Sequence, residues 1–212
     1  MARLSGRFDL AEELVEAAAR LEGGRTETEE ALQQAGALVV LLARDGKASL
    51  TCVPPLGAPD PHASMAGLMV VEAMLLAGRI DEAATMLDRP PDQNEEFGSV
   101  TAATSGLIVG LADALTGRFD AAVAELEAVV AAAAKVSARP AEIAARAVLA
   151  EATWRTGDHE KALQILGDLR PPIPGGVTQL LVYRARAVTG DRTAAAALTA
   201  ACDRLAAPGL RL

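Results

Sequence analysis

Aromatic side chains are nearly missing from this chain: Phe, Tyr and Trp together make 2% of its 212 residues, with a single Trp and a single Tyr. A β-sandwich or barrel draws its cross-strand packing from aromatic and β-branched residues, so the shortage argues against an all-β core. Lysine is as scarce, confined to Lys47, Lys135 and Lys161, and acids outnumber bases 28 to 20 for a formal net charge of −8. With a pI near 4.9, the chain has no basic footprint to neutralise phosphates, which argues against nucleic acid as a direct partner. Cysteine is limited to Cys52 and Cys202. They stand far apart without metal-type spacing, and the expectation is reduced thiols in a cytoplasmic protein rather than a disulfide framework. Long apolar runs are lacking too. Even Ala37 to Ala43 falls far short of the ~20 residues that cross a bilayer, and Arg7, Asp9, Glu12 and Glu13 interrupt the N-terminal stretch where a signal peptide keeps an unbroken apolar core. Neither a membrane nor export is expected.

What is present is alanine, leucine and valine. The chain is 51% hydrophobic and 23% charged, an ordinary balance for a folded protein. The apolar residues it uses favour helices packed through small side chains. Alanine richness combined with arginine in place of lysine fits a GC-rich bacterial coding sequence.

The organising stretch is 103 to 130, ATSGLIVGLADALTGRFDAAVAELEAVV. It reads as two antiparallel helices joined by a tight turn at Thr116-Gly117-Arg118. In the second helix Phe119, Val123, Leu126, Val129 and Val130 keep helical spacing, with small Ala122 where helices must approach closely. One such hairpin cannot bury its stripe alone. Related copies begin at Gly6 (GRFDLAEELV), Gly78 (GRIDEAATML), Gly157 (GDHEKALQIL) and Gly190 (GDRTAAAALT), so a stack of hairpins, each covering its neighbour, is the expected solution. An alanine stands five places after each turn glycine: Ala11, Ala83, Ala122, Ala162 and Ala195.

Taken in order, the chain opens with a helix over 4–22, ended by Gly23-Gly24, and a second begun by the capping box Thr26-Glu27-Thr28-Glu29. That second helix runs to about Arg44, but Asp45-Gly46 between two apolar runs also suits a type I′ turn. A β-hairpin over 37–53 therefore stands as the alternative. Residues 1–53 form an N-terminal cap, and PPLGAPDPH forbids regular structure and makes 54–63 a linker. A repeat domain fills 64–212, with helices over 64–77, 80–88, 99–116, 119–136, 141–156, 159–169, 177–189 and 192–206. The segments RPPDQNEEFGS, Ser137 to Pro140 and PPIPGG separate successive pairs.

These repeats resemble the tetratricopeptide repeat (TPR). The resemblance covers roughly 64–207, with a partial copy at 4–22. It rests on small residues at the close contact of the first helix (Gly110, Ala150), the turn glycine, the alanine five places on, and Pro174 at a repeat end. Most consensus aromatics are missing, Val71 replaces one small residue, and two of the spacings exceed the usual repeat. What the resemblance implies is an all-α fold, a short right-handed α-solenoid. Alanine-rich repeats of this kind are also similar to the sensor regions of bacterial LuxR and MalT type regulators. Yet no G-x-x-x-x-G-K-[ST] phosphate loop and no basic recognition helix occurs in these residues.

Catalytic chemistry needs converging groups, and the sequence supplies few. His62 sits in the proline-rich stretch and His159 at a helix start, with no H-x-x-x-H spacing for a metal. Cys52 has no histidine placed beside it. Ser105 lacks the flanking glycines of a nucleophile elbow, and the acids Glu27, Glu29 and Glu30 or Glu95 and Glu96 do not follow a calcium-loop pattern. No enzyme activity, metal or cofactor is expected.

A groove is the stronger idea. In TPR-like stacks the first helix of each pair lines the concave face. Carried over by phase, this places Met65, Leu68 and Glu72, then Thr104 and Leu111, then Ala147, Glu151 and Trp154, then Leu180 and Arg184 along it. The family's carboxylate clamp is missing, and an apolar helix or peptide, or a small apolar ligand, fits what remains. The competing reading is that the same residues pack against adjacent helices or a sister subunit in a homodimer. The expectation is a scaffold or adaptor that binds another protein. The alternatives are a small-molecule or peptide sensor domain of a bacterial regulator and, third, an enzyme on a helical-repeat framework.

Overall fold

A computed structural model describes residues 61–76, 78–87, 100–167, 169 and 177–205. Among them are eight α-helices and no strand: α1 (Pro61–Leu76), α2 (Ile80–Leu87), α3 (Val100–Leu115), α4 (Phe119–Lys135), α5 (Arg139–Arg155), α6 (His159–Leu166), α7 (Val177–Val188) and α8 (Arg192–Leu205). The fold is all-α over these residues. The expected helices at 4–22 and 26–44, the β-hairpin at 37–53 and the rest of the 1–53 cap lie outside the described residues. So does the segment 89–99.

The helix expected over 159–169 ends at Leu166, with Gly167 as its C-cap, and two helix starts lie ahead of expectation, both with a proline in the first turn. α1 starts at Pro61, inside the stretch expected to be linker, and places His62 in its first turn. α5 starts at Arg139 with Pro140 in its first turn. Proline lacks an N–H, but the first helical turn has no partner for one, and its fixed φ suits that turn.

One turn recurs throughout. At Gly78, Gly117, Gly157 and Gly190 the backbone has positive φ, between 77° and 99°. In each case the glycine N–H reaches back three residues and the following N–H reaches back five. At the turn after α3, Gly117 donates to the Ala114 carbonyl at 3.3 Å and Arg118 to the Asp113 carbonyl at 2.9 Å. This is the Schellman closure of a helix C-terminus. The fifth copy is unexpected: Ser137, with φ 55°, makes the same bonds through its own N–H and that of Ala138. The connection between α4 and α5, expected to separate two helix pairs, is thus as tight as the glycine turns.

Each turn also launches the next helix, because the residue after the positive-φ position is the next N-cap. Asp158 accepts from the Lys161 N–H at 3.1 Å, and Asp191 from the Ala194 N–H at 3.0 Å. An aspartate there satisfies an amide that the first helical turn leaves open.

The described helices fall into two compact units that divide between Gln93 and Asn94, with α1 and α2 in one and α3 onward in the other. The expected 64–212 repeat domain spans that division. In the first unit α1 packs on α2, and Leu68, Val70, Val71, Met74 and Ala83 are buried. In the second unit α5 is the hub. It packs against α3, α4, α6 and α7, while α3 also packs on α4. Eleven of its 17 residues are buried, from Glu142 to Thr153 with only Arg146 left out. Alanine makes this feasible: a helix surrounded on most sides needs short side chains to let its neighbours approach.

The small residues sit where the close contacts are. A Cβ added at Gly110 on α3 would lie 2.6 Å from Leu126 Cδ2 on α4, so only glycine admits that leucine, itself fully buried. Ala83, Ala122 and Ala162 have no exposed surface. The last copy departs from the pattern: Ala195 is exposed and Ala194 is buried instead. Residues 194–197 are all alanine, and a run of identical methyl groups carries no phase for periodicity to read.

Candidate functional site

The ten residues expected along a concave groove divide by chemistry. Leu68 in the first unit, and Leu111, Ala147 and Leu180 in the second, are buried, at 5% exposure or less. Their side chains are spent on helix packing, α1 against α2 in the first unit and α3 on α5 and α5 on α7 in the second. Met65 lies outside the described side chains. Glu72 and Thr104 are half-buried and engaged in contacts of their own. The apolar stripe is therefore core at these positions.

The polar members do come together. Glu151, on the α5 face toward α7, is 7% exposed, and Arg184 of α7 grips it with two hydrogen bonds, Nε to Oε2 at 2.9 Å and Nη2 to Oε1 at 3.0 Å. Both carboxylate oxygens are satisfied. A second buried carboxylate, Glu142 at 5% exposure, is held by Arg139 at 3.2 Å and Arg146 at 2.8 Å. It stands five places after Ser137, where the glycine turns place alanine. These pairs let α5 be enclosed without stranding a charge.

Trp154 follows Glu151 by three residues and is half-buried. Its indole stacks on the imidazole of His159, with ring centroids 4.0 Å apart and planes inclined by 22°. The intervening Gly157 turn brings the last turn of α5 beside the first residue of α6. His159 is exposed, and four residues on, on the same face of α6, Leu163 is 53% exposed, the one large apolar side chain left exposed among the described residues. Trp154 and His159 thus stack at the α5–α6 corner, and Leu163 extends the row one helical turn along α6. Of this row only Trp154 was among the residues expected along the groove. The available signal was the i, i+4 relation of His159 to Leu163 on a helix whose inward face is already supplied by Ala162 and Leu166, both buried.

The charged groups of α3, α4 and α6 near this corner pair with one another. Lys161, on the same helix, is exposed, and its ammonium donates to Glu127 Oε1 of α4 at 2.7 Å. That hydrogen bond, together with the attraction of the carboxylate, raises the lysine further above its ordinary value. Glu125 on α4 is pushed upward as well, first by burial and then by the negative charge of Asp113. Asp113 is itself tied to Arg118 at 2.6 Å. None of these groups is aimed at a common point. His62, Cys52 and Cys202 lie outside the described side chains, and Ser105 is half-buried within α3.

Among the described residues no three His, Cys, Asp or Glu side chains gather as they would around a metal ion. Nor, among them, is any helix long and apolar enough to cross a membrane. No family model matches the chain, and neither a curated protein nor a solved structure matches it.

Proposed function

We propose that this chain is a non-enzymatic protein- or peptide-binding scaffold, built as a TPR-like stack of helical hairpins, whose contact surface is the row Trp154, His159 and Leu163. Support for the architecture comes from the packing order: α4 lies against both α3 and α5, while α3, α5 and α7 follow one another along the stack. A second helix wedged between successive first helices is how hairpin repeats share a core. The recurring turn and the buried alanine after Gly78, Gly117 and Gly157 support the same reading.

The observation that carries the functional part is the half-exposed tryptophan backed by His159. An indole held in place by a stacked ring offers much apolar area at little ordering cost, and binding energy concentrates in such residues. Leu163 extends that area along α6 by one helical turn. The partner that fits is an amphipathic helix or extended peptide presenting a few apolar side chains.

Selection of a random peptide library on the intact protein tests this. Enriched peptides should carry apolar residues at helical or alternating spacing, and Trp154→Ala should weaken their binding by roughly 30-fold, the loss of a hot spot worth about 2 kcal/mol. Leu163→Asp should weaken it too. Peptides that bind both variants as tightly as the parent would place the contact surface elsewhere.

A further inference from the structure

We draw no further inference here: the strongest candidate, the exposed alanine face of α4 formed by Ala121, Ala124, Ala128 and Ala131, is a stripe of small residues, and nothing in the structure shows what covers it.

Discussion

Glu151 on α5 and Arg184 on α7 meet fork to fork, each contributing two atoms to a pair of hydrogen bonds of 2.9 and 3.0 Å. The carboxylate is the more buried partner, with 10% of its side chain exposed against 26% for the arginine. Taking a carboxylate out of water costs several kcal/mol, and the bidentate guanidinium offsets that cost. The pair joins two helices that are not consecutive in the chain, α6 lying between them in sequence.

Removing only the arginine should therefore be worse than removing both partners. Arg184→Ala leaves Glu151 buried without its cation and should lower stability by about 3 kcal/mol, at the low end for a broken buried pair because the arginine keeps some solvent contact. Glu151→Leu combined with Arg184→Leu should restore most of the loss, since apolar replacements of similar volume carry no charge to desolvate. Urea denaturation midpoints of the single and double variants check this. A double variant less stable than Arg184→Ala would show that the pair contributes net stability to the fold.

The turn at Ser137 carries a cost that the four glycine turns avoid. A residue with a Cβ at φ 55° sits in the left-handed region, unfavourable by about 1–2 kcal/mol for most L-residues. Ser137→Gly should accordingly raise stability, by about 0.5–1 kcal/mol after the extra freedom of glycine in the unfolded chain is counted. Gly157→Ala is the converse case. A Cβ there meets nothing within 4 Å, so its destabilisation of about 1 kcal/mol would come from the backbone alone. Thermal melts of both variants should move in opposite directions.

The Ser137 turn also marks where sequence reading reached its limit. A glycine announces a positive φ because it alone adopts one without strain, and Gly78, Gly117, Gly157 and Gly190 all stand at turns. Serine announces nothing of the kind. Its conformation is imposed by the lengths of α4 and α5 and by the packing of one on the other. The groove shows a second limit. Helical spacing identified Leu111, Ala147 and Leu180 as facing one side of their helices, but an apolar face looks the same whether it lines a cleft or meets another helix. Only the contacts of α3 and α7 with α5 distinguish the two. Gly110, by contrast, was legible as a close contact through the repeat pattern it matches, and a Cβ there would meet Leu126.

Glu125 should give an inverted pH response. Its carboxyl is held above its ordinary value in the folded protein, so the folded state binds this proton more tightly than the unfolded chain does. The resulting penalty on stability is absent below the ordinary glutamate range of about 4.3 and is fully present once pH has risen through the folded value. This is opposite to the usual salt-bridged carboxylate. Glu125→Gln, which removes the charge and keeps the shape, should melt higher than the parent at pH 7 by a small margin, within about 0.5 kcal/mol because the site is half exposed. At pH near 3.5 the two proteins should melt together. A constant difference across that range would mean that the carboxyl titrates identically in both states.

The stack between Trp154 and His159 places one face of the only indole in the chain against an imidazole at 4.0 Å, so tryptophan fluorescence reports on this corner alone. Truncating His159 uncovers that face. His159→Ala should shift the emission maximum to longer wavelength and steepen quenching by acrylamide, because the ring gains contact with water on the side where it had a neighbour. Stability should change little, by about 0.5 kcal/mol, as expected for an exposed residue whose N-cap, Asp158, is left in place. The same variant bears on function. If His159 serves to hold the indole ready for a partner, peptide binding should weaken several-fold through lost preorganisation, although most of the apolar area remains. An unchanged spectrum would show that the rings are apart in solution and that Trp154 meets its partner without this support.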